Sequence, residues 1–132
     1  MKIIDEGGKF ELELVSSKRI IREKLIGRWN KADFERFNSA YDKLAGELRK
    51  LGNWAKLCDM TQYKISAIND EVKQHAKWMH DNGCTHNATI LPSEMIIKLM
   101  VGNLQKASGG IITGTFKSVA EGEKFLEENG FK

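Results

Sequence analysis

Apolar and polar residues alternate through Phe10-Glu11-Leu12-Glu13-Leu14, the period of a half-buried strand. Ser16-Ser17-Lys18 reads as a turn, and residues 19–28 as a second strand with Ile21, Leu25 and Trp29 directed inward. Two such runs so close together predict an antiparallel hairpin. The period then changes. Phe34, Phe37, Tyr41, Leu44 and Leu48 recur at three- and four-residue steps, which predicts a helix over 31–50 with one apolar stripe. Asn30 is its expected N-cap and Gly52 its stop. A short strand over 54–60 follows, then a helix over 68–81 striped by Ile68, Val72, Ala76 and Met79 and stopped by Gly83. Residues 86–91 read as a run in the sheet interior. Pro92-Ser93-Glu94 opens a helix that Gly109-Gly110 ends, and residues 111–116 form the last strand. Ser118 and Glu121 have the spacing of a capping box ahead of a final helix reaching Asn129.

These elements predict one α/β domain over 1–132. Its core is a five-stranded mixed sheet in the order ββαβαβαβα, with the first strand antiparallel. Glu11 and Glu13, then Arg22, Lys24 and Arg28, occupy positions opposite the apolar ones. Lys56, Thr113 and Thr115 interrupt the later strands in the same way. A sheet covered on both faces has nearly continuous apolar strands, so the expectation is one solvated face with the helices mainly on the other.

Composition narrows the partners. The 132 residues suffice for one core without disulfides or metals. Lys and Arg number 21 against 18 Asp and Glu and form no runs, which does not suit nucleic-acid binding. Two cysteines are too few for a secreted disulfide framework, and Cys58 sits in an apolar run as a buried thiol does. The first six residues hold no signal-peptide core and no stretch reaches membrane-spanning length, so a cytoplasmic protein without integral membrane contact is expected.

Three segments carry a resemblance to a known family. Residues 26–34, Ile-Gly-Arg-Trp-Asn-Lys-Ala-Asp-Phe, are similar to a strand–Gly–helix entry of the STAS and SpoIIAA-like (STAS/Sec14-like) group. Residues 54–60 resemble its central strand ending in Asp, and 115–126 its closing strand and helix. The resemblance implies a non-enzymatic regulatory or binding module of SpoIIAA-like fold. Anti-sigma-factor antagonists of that family have an Asp-Ser-Ser-Gly-type segment after the central strand, with a serine phosphorylated by a partner kinase. Here Asp59 is followed by Met-Thr-Gln-Tyr-Lys-Ile-Ser, and Ser66 alone could take the switch role.

Each candidate for chemistry also has a structural reading. Ser66 is an N-cap or a phosphosite, and Asp70 and Glu71 in the following turn would repel a phosphate. Asp59 and Thr61 lie where open α/β sheets place ligand groups, as polar residues of a small enzyme or simply as a turn. Ser93 occupies the equivalent place one strand over. His80, Cys84 and His86 lack a fourth ligand at zinc spacing, so neither a metal nor another cofactor is expected. His75 falls beside the apolar stripe of its helix and reads as a hydrogen-bonded boundary residue. The helix over 94–106 is apolar over a wide arc: Ile96, Ile97, Met100, Val101 and Leu104, widened by Met95 and Leu99. It packs deeply between neighbours, or it contacts a partner protein, a second copy of the chain, or a small lipophilic ligand.

Overall fold

In the computed structural model, residues 1–64, 66–91 and 110–132 are described. The hairpin forms from β2 (Phe10–Val15) and β3 (Ile20–Gly27), antiparallel in the register Leu12↔Glu23 and Leu14↔Ile21. A single 3₁₀ turn over Ser16–Lys18 joins them and ends in the left-handed Arg19. Helix α1 (Lys31–Lys50) leads to β4 (Trp54–Tyr63), and α2 (Asn69–Asp81) to β5 (Cys84–Ile90). Strand β6 (Ile112–Phe116) and α3 (Val119–Glu128) complete the chain.

Among the described residues the sheet has six strands rather than five. The additional one is β1 (Lys2–Ile4), antiparallel to β2 with Ile3 opposite Leu12. Three residues are too few to show a period, so nothing in the pattern announced it. Strands follow one another across the sheet in sequence order, and β3 to β6 are parallel. The general class, a mixed α/β sheet, agrees with expectation. Strand β4 runs to Tyr63, past the expected end at Met60, with a register shift against β3 between Lys24 and Ile26.

Helices cover both faces. Phe34, Phe37, Tyr41, Leu44 and Leu48 of α1 and Met79 of α2 pack with Leu12, Ile21, Trp54 and Cys58 in the larger core. Leu126 of α3 and Phe131 beyond it close a smaller core on Ile20, Ala55, Leu57, Ala88 and Ile90, on the opposite face. Among the described residues a charged, partly solvated face remains over β1 to β3. There Glu11 is opposite Lys24 and Glu13 opposite Arg22, and Arg22 reaches Glu123 of α3 at 2.9 Å. Gly122 lets α3 sit close, since a Cβ there would lie 2.8 Å from Ile90 and 2.9 Å from Leu57.

Helix ends follow local chemistry. Asn30 and Asp33 form a reciprocal capping box on α1, and Ser118 accepts from the Glu121 amide on α3. Helix α2 differs: its N-cap is Ile68, with no side-chain cap. Among the described residues no helix is long and apolar enough to cross a membrane.

Gly83 ends α2 at φ +104°, and a Cβ there would stand 2.5 Å from the Gly52 carbonyl oxygen. Backbone strain and a backbone clash act together. Gly83→Ala is expected to lower stability by about 2 kcal/mol or more in urea unfolding. An unchanged midpoint would contradict this placement of the α2–β5 turn.

Candidate functional site

The pleat places every second residue of a strand on one face. Ile21, Glu23 and Leu25 of β3 therefore face α1 and α2, as do Trp54, Lys56, Cys58 and Met60 of β4. The register sets Cys58 between Glu23 and Thr89, and Lys56 beside Asn87, which in turn lies beside Thr113. Two polar rows thus cross the covered face of the sheet. Lys56 is a correction to the sequence reading: it lies under the helices, 3% exposed, with Glu23 at 4%. Thr113 is on this face as well.

Lys56 Nζ is 2.8 Å from Glu23 Oε2. Burying one charge alone would cost several kcal/mol, and each ion here supplies the other's counter-charge. Further donors complete the carboxylate. The Tyr41 hydroxyl donates to Oε2, and the Cys58 thiol to Oε1 at 3.2 Å. The ammonium also stands 3.0 Å from His75 Nε2 and over the Tyr41 ring, 5.0 Å from its centroid. Tyr41 comes from the α1 stripe and His75 from α2, so sheet and both helices meet at this pair.

The protonation states follow from the surroundings. Burial, reinforced by Glu23, pushes the Tyr41 and Cys58 pKa values well up, so both keep their protons. Burial first and the Lys56 charge second hold His75 well below its ordinary value, so it is neutral. A neutral imidazole facing an ammonium with Nε2 must accept there and hold its proton on Nδ1. That buried Nδ1 has no hydrogen-bond partner among the described residues.

Beside the network lies a cavity of about 90 Å³. Trp29, Phe34, Phe37, Met60, Ile68 and Met79 supply apolar wall. Its polar side comprises Glu23, Lys56, His75, Asn87 and Thr113. His75 also borders a hollow with Asn38, Gln74 and Trp78 between α1 and α2.

The residues singled out from sequence do not meet here. The Asp59 carboxylate accepts from the Thr61 amide at 3.0 Å and its hydroxyl at 2.7 Å, bracing β4 where its register against β3 shifts. Both lie within β4 rather than in a turn after it. Ser66 does not cap α2. Its hydroxyl accepts from the Trp29 amide and donates to the Lys64 carbonyl, each at 2.8 Å, fastening the loop to the entry of α1. Ser93, Met95 and Leu99, with the helix expected over 94–106, lie outside the described residues. Cys84 is in the larger core, whereas His86 packs its ring on Phe125 and Phe131 across the sheet. Among the described residues no His/Cys/Asp/Glu group could hold a metal ion.

Sequence reasoning missed Glu23, Tyr41 and Lys56 as a unit and placed His75 at a boundary instead of the centre. The signal was spacing: Glu23 sits between Ile21 and Leu25, and Lys56 between Trp54 and Cys58, at period two. Set against family models, curated proteins and solved structures, the chain shows no match in any of the three comparisons.

Removing one partner leaves the other charge buried. Lys56→Met is expected to cost about 3–5 kcal/mol in urea unfolding, with most of the loss recovered in the Glu23→Gln/Lys56→Met double variant. Equal, additive losses would contradict the pair. Stability should also fall with acidity. Unfolded His75 takes a proton near pH 6.5, while the folded ring resists it, so the unfolded state binds more protons below that pH. His75 therefore contributes full stability above about pH 6.5 and loses up to about 1.4 kcal/mol per pH unit below it. Urea unfolding from pH 8 to 5 tests this, and His75→Gln is expected to flatten the slope.

Proposed function

We propose that this chain is a non-enzymatic binding module that takes a small, mainly apolar ligand into the cavity between the sheet and helices α1 and α2. The observation that carries the reading is the cavity's division into an aromatic and methionine wall and a polar end built on Glu23, Lys56 and His75. Binding sites combine apolar lining with a few placed polar groups in this way. Met60 and Met79 add adaptable surface. Size limits the occupant: a cavity of roughly 150 Å³ holds benzene, so about 90 Å³ suits a group of a few heavy atoms.

A binding role is also what the resemblance to STAS and SpoIIAA-like domains implies. That assignment remains part of the proposal and rests on the segments at 26–34, 54–60 and 115–126. The alternative of a small enzyme at Asp59 and Thr61 gains no support from their geometry, because Asp59 holds its own strand together.

Native mass spectrometry tests the binding role. Protein purified from its producing cells is expected to carry extra mass that is lost on denaturation. Ala76→Phe, which projects a ring from α2 into the cavity, should arrive bare. Xenon should shift the Met60 and Met79 methyl resonances of the emptied protein and leave Phe116 and Phe125 across the sheet unmoved. Bare protein in both spectra, with cavity methyls indifferent to xenon, would contradict the reading.

A further inference from the structure

The cavity's electrostatics select among small ligands. Among its described lining residues, only Glu23 and Lys56 carry charge, and they neutralise one another at 2.8 Å. His75 is neutral. A carboxylate entering this site would be a buried charge with no free cation among the described residues to meet it, since Lys56 is already engaged by Glu23 and His75. An ammonium would have to compete with Lys56 for the same carboxylate, whose oxygens already accept from Tyr41 and Cys58. Among the described residues neither ionic class has a counter-charge waiting.

A different need is left open. His75 Nδ1–H is a buried donor without a partner among the described residues, on a residue 8% exposed that lines the cavity. Such a donor favours any neutral group that offers it a lone pair. Its tautomer is imposed by Lys56 on the other ring nitrogen, so the donor is in place before a ligand arrives. We infer that the ligand is an uncharged molecule with a small apolar body and one hydrogen-bond acceptor, of the ketone, aldehyde or ether class, which accepts from His75 Nδ1–H inside the cavity. The inference rests on the binding role proposed above and names the chemistry that this role would recognise.

Four probes of similar size separate the classes: butan-2-one, butyrate, n-butylammonium and n-pentane. Each is titrated at pH 7.5 into protein labelled with ¹⁵N-histidine and ¹³C-methyl methionine. Butan-2-one is expected to shift both the His75 Nδ1–H signal and the Met60 methyl, saturably, with a dissociation constant at least about tenfold below those of the two ions. Pentane should move the methyl signals and leave Nδ1–H in place. Butyrate or butylammonium binding as tightly as the ketone would overturn the neutral class. Ketone shifts confined to the methyls, with Nδ1–H unmoved, would overturn the role of His75 while the binding function stands. Methyls that respond to no probe would overturn the inference together with the binding role itself.

Discussion

A lysine and a glutamate held out of water, 2.8 Å apart under two helices, constrain most of this structure. A buried pair of this kind is a poor source of net stability, because desolvation offsets much of the attraction. It is a strict condition on geometry instead. Side chains alternate along β4, so a one-residue slip would carry Lys56 to the α3 side and bring Leu57 into its place. Glu23 would then lie buried with no counter-charge. The correct register of β3 on β4 is the one in which both ions are paired.

The surrounding elements are arranged to meet that condition. Tyr41 lies on the apolar stripe of α1 and contributes its ring to the packing and its hydroxyl to Glu23. His75 lies on α2 and turns one ring nitrogen to Lys56. Each helix is thus anchored to the sheet by one polar contact within an apolar interface. On the far side of the sheet, α3 packs on the parallel half, and the antiparallel half carries half-buried cross-strand charges. The same division explains the cavity. Groups that satisfy the ion pair occupy one end of the space, and aromatic and methionine side chains form the other.

Much of this was legible in the chain. Alternation located β2, helical spacing located α1 and its buried face, and Asn30 and Ser118 marked true helix starts. What escaped has definite causes. β1 is too short to have a period, and the polar end of β4 reads as loop although its backbone pairs with β3. Periodicity gives a helix one apolar stripe without saying which face of the sheet it covers, so α3 could not be placed. Ser66 resembled a cap, but α2 begins three residues later and its serine hydroxyl is used by Trp29. Lys56 is the instructive case. Charge suggested solvent, whereas parity with Trp54 and Cys58 pointed inward, and parity decides when a partner of opposite charge lies on the same face of the next strand, here on the diagonal.

The most direct measurement is of Lys56 itself, by ¹H–¹⁵N NMR of the lysine side chains at neutral pH and room temperature. Ammonium protons on exposed lysines exchange too fast to be seen under those conditions. One persistent ammonium signal is expected, coupled to Glu23 by its disappearance in Glu23→Gln, and absent from Lys56→Met. A spectrum in which no lysine stands apart would mean that Lys56 is bathed in water and that no buried Lys56–Glu23 pair organises the site.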